Sequence, residues 1–377
     1  MRKIIRVGLS LLMVLFISEI IIAQKIETKN EIKIISNGRK PKPQKGVPSK
    51  VILTEDLRFG EGDDPETAFS QVAFFVVTDE GHVIAADIKD KKVKVYDAEG
   101  NFLRNIGKEG QGPGEFQIPG GLALTPNNEL MIEDSMGRRL AFFTMDGEFI
   151  KNVSTADKMS LLNLVIDADG NYLGRQLGVE GKKMYFETKK YDKDLNPVFT
   201  MDKIEFEIPI PGSGVKIDIM DMTPLYLFDS SGNVFYGRNR DYEIKVFKPE
   251  GTHIRSIRKD FKPVKVTQED IDMILERLPG GMMGGLDPTE FFEFPEEFPP
   301  FQTFTLDKKD RLFIRTWEKG KEEGAYVVDV FDAEGRFISQ FETKLDIRIW
   351  KGDKVYGLEE NEDGFMVIKR YKASWKN

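Results

Sequence analysis

"FGEGDDPETAFSQVAFFVVTDEGHVIAAD" (residues 59–87) and "IGKEGQGPGEFQIPGGLALTPNNELMIED" (residues 106–134) align without a gap. Gly60 falls on Gly107, Phe69 on Phe116 and Asp87 on Asp134. The match runs on through Tyr96 and Phe143, Gly100 and Gly147, and Phe102 and Phe149, always 47 residues apart. A period of roughly 40–50 residues is that of propeller blades, each a four-stranded sheet. The glycines of 107–121 invite comparison with a phosphate-binding loop, but "GQGPGE" is not G-x-G-x-x-G. No helix-forming stretch follows it, and no Lys-Ser/Thr pair closes it as a P-loop. The first copy builds the same joint with Asp63, Asp64 and Pro65, so the loop reads as a blade connector with Phe116 plugging between blades.

Short β-branched and aromatic runs separated by turn clusters continue along the chain, as in a meander of strands. The first turn of each unit is "TDEGHV" (78–83), "TPNNEL" (125–130), "DADGNYL" (167–173), "DSSGNVF" (229–235), "DKKDRLF" (307–313) or "WKGDKVY" (350–356). Asp, Asn and Gly recur there because tight turns need residues that tolerate positive φ or bond their own backbone. Six first turns imply six blades. The last unit has three strands before the chain ends, and "KVILTEDLRFG" (50–60) precedes Gly60 as "YDAEGNFLRNIG" precedes Gly107. The expected fold is therefore all-β, a six-bladed β-propeller of four-stranded antiparallel blades over residues 51–375, its ring closed by an N-terminal strand that completes the last blade.

The segment "VYDAEGNFLRNIGKEGQGPGEFQIPGGLAL" (95–124) resembles the NHL repeat family in its order of turn, outer strand, Gly-rich loop, aromatic, Pro-Gly and inner strand. The chain is also similar to exported bacterial six-bladed propellers that carry a signal or lipoprotein leader. The resemblance is strong over 53–150 and weaker across 161–375. Blades three and four depart from it, lacking the Gly-rich loop and carrying long insertions, so no family contact is carried over there.

The N-terminus has a basic region (Arg2, Lys3, Arg6), an apolar stretch from Val7 to Ile17 and a cleavage pattern ending at Ala23. Residues 1–23 are expected to be a signal peptide, which places the protein outside the cytoplasm, periplasmic or extracellular. Glu19 interrupts a stretch already short of the roughly 20 apolar residues of a membrane span. No integral membrane span is expected once the leader is cut. Residues 24–50 read as a polar basic linker, "GRKPKPQKGVPSK", with "NEIKIIS" before it suited to a short added strand. The absence of cysteine excludes disulfides, thiolate catalysis and lipid attachment to cysteine. The net charge of −8 argues against nucleic acid as a partner.

Propeller topology puts the loops between second and third strands on the same face as the blade joints. Residues ending each second strand are then expected to ring the channel mouth: Asp87, Asp134, Arg175, Arg238, Arg315 and Glu359. Asp87, Asp134 and Glu359 form an acidic arc, and the arginines form a basic one. Such a dipolar funnel suits a polar or zwitterionic ligand such as a peptide end or a sugar acid. The alternative is that these side chains pair with neighbouring blades or with backbone. No metal site is assigned and no cofactor expected, although calcium's six to eight oxygen ligands could come from the acidic arc with carbonyls. The metal-using propeller lactonases and lyases lean on His, Asn and Glu sets that find no match in this chain. His82 and His253, its two histidines, fall in turns.

The insertion of blade four, 263–300, holds "VTQEDIDMILERL" (266–278), where Thr267 and Asp270 approach a capping box and Ile271, Ile274, Leu275 and Leu278 share a helical face. Met282 and Met283 between paired glycines read as an adaptable apolar tip, and Phe291 and Phe292 as further partner contacts or as packing. The expected function is an exported, monomeric binding or scaffold protein for a peptide, protein or glycan. The alternative is a metal-dependent propeller hydrolase or lyase.

Overall fold

The computed structural model describes residues 24–376 except 63, 157–160, 182, 211, 222–223, 239, 277–286 and 363. Six antiparallel sheets follow one another as the turns predict. Blade one runs Val72–Val77, Val83–Asp87, Lys92–Tyr96 and Phe102–Ile106. Blade two runs Pro119–Leu124, Leu130–Asp134, Arg139–Phe143 and Phe149–Ser154. Blade three comprises Leu161–Ile166, Tyr172–Glu180, Lys183–Tyr191 and Pro197–Glu207, and blade four Leu225–Phe228, Val234–Gly237, Glu243–Phe247 and His253–Lys259. Blade five comprises Phe301–Leu306, Leu312–Lys319, Tyr326–Phe331 and Phe337–Thr343. Blade six takes Asp346–Lys351, Lys354–Glu360 and Met366–Lys376 from the end of the chain and its outer strand, Lys50–Phe59, from near the start.

The repeated residues have local causes. Gly60 and Gly107 sit at φ 66° and 68°, and a Cβ on either would lie 2.3 Å from the ring of Phe69 or Phe116. Only glycine admits both that backbone and that plug. The first residue of the Asp-x-x-Gly-Asn turns folds back on itself. Asp97 and Asp167 each accept the amide of the residue four positions on at 2.8 Å, and Asp229 does so at 2.9 Å.

Within 24–50, expected as linker, two strands appear. Lys25–Lys29 and Ile32–Asn37 form a hairpin, and Ile32–Asn37 pairs parallel with His253–Lys259, extending blade four to six strands. Asn37 locks it in place. Its Nδ2 donates to the carbonyls of Arg258 and Gly335 at 2.9 and 3.0 Å, and its Oδ1 accepts the Phe337 amide at 2.9 Å.

The insertion forms helix α1 (Gln268–Glu276), entered by a reciprocal cap. The Thr267 amide donates to Asp270 Oδ2 at 3.0 Å, and the Asp270 amide donates to Thr267 Oγ1 at 3.3 Å. Lys319 of blade five pairs with Asp270 at 3.1 Å, and Phe298 stacks on Trp317 at 4.0 Å. Phe292–Glu293 pairs parallel with Ile217–Asp218 from the connection between blades three and four. The insertion is thus fastened to blade five and to the preceding connection. None of the described helices is long and apolar enough to cross a membrane.

Candidate functional site

Neighbouring blades pack through apolar side chains. Five hydrophobic clusters fill the seams one–two, two–three, four–five, five–six and six–one. The seam between blades three and four has no such cluster among the described residues. A polar row takes its place toward the blade-joint face. Across blade three, Leu162, Arg175, Thr188 and Asp202 are successive register partners and so share one face of the sheet. Across blade four, Tyr226, Tyr236 and Lys245 form the opposing row. The two rows meet where the Tyr236 hydroxyl donates to Asp202 Oδ2 at 2.6 Å. The Tyr226 hydroxyl donates to the carbonyl of Asn163 at 2.9 Å.

Charge is concentrated in this seam. Arg238 reaches Asp202 at 3.4 Å and donates through Nε and Nη2 to the two oxygens of Asp221 at 3.3 and 3.2 Å. Arg240 donates to the same carboxylate through the same two nitrogens, its Nε at 2.9 Å. Burial alone would raise the Asp221 carboxyl, but hydrogen bonds from Arg240 and Arg238 hold it below the ordinary carboxylate range. Burial, and then Asp202 beside it, pushes the Tyr236 hydroxyl well up, so it stays a donor. A cleft of about 250 Å³ opens here, lined by the acids Asp202, Asp241 and Glu243 and the bases Arg238, Arg240 and Lys245. Balanced charges of this kind suit a ligand with both signs.

The sequence-derived mouth residues separate into two kinds. Asp87 and Asp134 are both 0% exposed and act as brackets. Asp87 accepts the amides of Ser70, Gln71 and Asp90 at 2.7, 3.1 and 3.2 Å, with Lys94 3.4 Å away. Asp134 accepts those of Gln117, Ile118 and Gly137 at 3.1, 3.3 and 3.1 Å and Arg139 Nε at 3.0 Å. Of the two expectations for them, these contacts match pairing within the blades: their oxygens tie a blade joint to the second strand. Arg315 serves similarly, its Nη1 donating to the Leu345 carbonyl of blade six at 2.6 Å. Glu359 accepts from Lys369 Nζ at 2.7 Å and the Tyr371 hydroxyl at 2.9 Å, and it lines a separate cleft of about 380 Å³ with Val51, Leu53 and Lys344. The acidic arc does not converge. No group of three or more His, Cys, Asp and Glu set to hold a metal occurs among the described residues.

Arg175 and Arg238 do belong to the seam. Phe291, expected as a partner contact, is 9% exposed and packed, while Phe292 is half-buried in the small parallel pairing. Met282 and Met283 lie outside the described residues. His253 Nε2 lies 3.0 Å from the Arg255 carbonyl on the outer strand of blade four, where burial lowers its pKa.

Asp202, Asp221, Tyr226, Tyr236 and Arg240 escaped the sequence reading, as did Glu133. Glu133 holds the strand-two position of blade two that Arg175 holds in blade three. Its carboxylate accepts the Leu164 amide of the next blade at 3.2 Å, and burial pushes its pKa up to about 7. The available signal was the loss of the connector motif in blades three and four, which marks where the repeat stops serving the ring alone.

Among curated proteins, the human E3 ubiquitin-protein ligase NHLRC1 is 28% identical over 89 residues, which is 24% of this chain and 21% of that protein. The chain thus spans about a fifth of that relative's length. Among solved structures, a Bacteroides fragilis NCTC 9343 protein provisionally named as exported is 14% identical with a TM-score of 0.56, covering 91% of this chain and 100% of that one. A Bacteroides vulgatus ATCC 8482 member of the duf4221 family is 13% identical with a TM-score of 0.52, covering 87% and 100%. At such identities these structures speak to fold alone. The DUF5128 family model, described as a 6-bladed beta-propeller, matches residues 68–270, from the plug of the first joint to the start of α1. With more than half of its length matched by that model and six blades closing its ring, the chain belongs to the DUF5128 family of six-bladed β-propellers.

Proposed function

We propose that this protein is an exported binding module that engages a peptide through the polar seam between blades three and four. The observation that carries this is the replacement of an apolar inter-blade cluster by a row of charged and phenolic side chains opening into a cleft. A seam built only for stability would gain more from apolar packing, because buried ion pairs barely offset their desolvation. Three acids and three bases around that cleft fit a ligand bearing both an ammonium and a carboxylate, as a peptide with free ends does. Protein and glycan partners are served less directly by such a balance. Export is supported by the leader pattern of residues 1–23 and by the provisional name of the Bacteroides fragilis relative. N-terminal sequencing of protein recovered from cells should give Gln24 as the first residue.

Isothermal titration with triglycine, against N-acetylated and C-amidated triglycine, tests the seam. Binding of the free peptide, weakened at least tenfold by blocking the ends and by Arg238→Gln, is the expected result. Equal binding of free and blocked peptides, or no binding of either, would overturn the assignment.

A further inference from the structure

We infer that the Arg175 guanidinium is the anchor for a ligand carboxylate, held through its Nε–Nη2 edge at the inner end of the blade three–four seam. Arg175 is 5% exposed, and its guanidinium carbon lies 4.1 Å from the centre of the Phe186 ring. Its Nε and Nη2 are both buried, and neither has a hydrogen-bond partner. Those two N–H groups point in parallel along one edge and match the two oxygens of a carboxylate. Elsewhere this chain uses that edge for that purpose: Arg238 and Arg240 both turn Nε and Nη2 to Asp221.

The surroundings of Arg175 make the contrast sharper. The corresponding arginine of blade five, Arg315, is satisfied by the Leu345 carbonyl of the next blade and by Gln302 Oε1 at 3.2 Å. At Arg175 the neighbouring blade offers instead the Tyr226 and Tyr236 hydroxyls, which donate to the Asn163 carbonyl and to Asp202. Among the described residues no carboxylate pairs with Arg175. A desolvated cation without a counter-charge is costly, and a bidentate anion relieves the cost. Asn163, exposed and at φ 56°, interrupts the inner strand of blade three between Leu162 and Val165, next to Arg175's register partner Leu162. A singly charged, planar carboxylate fits this place better than phosphate or sulfate, since Asp202 stands in the same row and Glu133 on the inner side of the preceding blade.

This inference rests on the seam as the binding site but not on a zwitterionic ligand. The probes are sodium acetate and sodium succinate, titrated into the full chain against sodium chloride, sodium phosphate and sodium sulfate at matched ionic strength. The readouts are thermal midpoint and isothermal titration. Saturable binding of a carboxylate is expected, with phosphate and sulfate at least tenfold weaker. Arg175→Met, which keeps the stacking volume over Phe186, should lose carboxylate binding at least tenfold while holding its fold. Arg175→Lys keeps the charge but not the fork, and should fall between. Unchanged carboxylate binding in both variants, tighter binding of phosphate or sulfate, or no binding of acetate or succinate to the wild type would each overturn the inference. Triglycine separates the two readings. Loss of its binding in Arg238→Gln with acetate binding indifferent to Arg175 sinks the anchor alone. Acetate binding lost in Arg175→Met, with triglycine never bound, sinks the zwitterionic peptide alone.

Discussion

Asp134→Ala should damage the fold and leave ligand binding alone. The substitution strips one acceptor group from three backbone amides and from Arg139, at a site with no exposure. Hydrogen bonds to a charged group are worth about 1.5–3 kcal/mol each, but bonds sharing one carboxylate do not add. Removing one partner of a buried pair costs about 3–5 kcal/mol as a whole, which is the better guide here. Arg139 stays anchored through the carbonyls of Gln111 and Glu115 at 2.8 and 2.9 Å, so it is not left wholly unpaired. Unfolding entropy of about 2.1 cal/mol/K per residue over roughly 350 residues converts that loss into a midpoint lowered by roughly 4–7 °C. Calorimetry of the wild type and variant measures it. Asp134→Asn keeps an acceptor for the amides but loses the charge facing Arg139, and should fall between. Asp87→Ala repeats the experiment in blade one. An unchanged midpoint with lost carboxylate or triglycine binding would refute the bracket assignment and return Asp134 to the channel mouth.

Two further outcomes follow from buried charge. The Glu133 carboxyl has a folded pKa of about 7 against an ordinary 4.5. The folded protein therefore keeps a proton that the unfolded chain has released, and stability falls as pH rises from about 4.5 to 7. Glu133→Gln should match the wild type at pH 4 and be more stable at pH 8 by on the order of 3 kcal/mol, read as thermal midpoints; a variant less stable at both pH values would contradict this. Lys259 and Asp329 pair at 2.8 Å in the four–five seam, with the Tyr242 hydroxyl donating to the same oxygen at 2.6 Å. Lys259→Met alone should cost about 3–5 kcal/mol in urea unfolding, and Lys259→Met with Asp329→Leu should recover most of it.

The 47-residue repeat made the ring legible, because each conserved-length joint has a local cause: a glycine facing a Phe ring, an aspartate closing its own turn. The closing strand at 50–60 was legible for the same reason. The side chains at the ends of the second strands were not. One position along a strand reverses the face, and the bulges between Val72 and Phe74 and between Pro119 and Gly121 shift inner strands relative to second strands. Asp87 and Asp134 thus sit beside the amides of the joint. Arg175 and Arg315 stand in the column of Glu133, one position before that of Asp87, Asp134 and Arg238, and so face the other side of their blades. The docking of Ile32–Asn37 on blade four and the burial of Phe291 depend on contacts far apart in sequence, which local pattern does not record. Asp202 looked like any acid on an outer strand until its row partner Arg175 gave it a place in a seam.

The closure of blade six also sets an order of events. Lys50 pairs with Lys376 and Phe59 with Ile368, so a strand made near the start of the chain waits for the last. At about 5–20 residues per second of synthesis, that wait is roughly 15–65 s. During it the ten residues Lys50–Phe59 have no strand to pair with, and unpaired strand-forming segments recruit wrong partners. The sequence of this one, "KVILTEDLRF", carries Glu55, Asp56 and Arg58 among its apolar residues. In the finished ring these acids reach the last strand, Asp56 accepting from Arg370 Nε at 2.9 Å and Glu55 from the Tyr371 hydroxyl at 3.2 Å. Before closure they keep the waiting strand soluble, so the same side chains guard the unfinished chain and fasten the finished one.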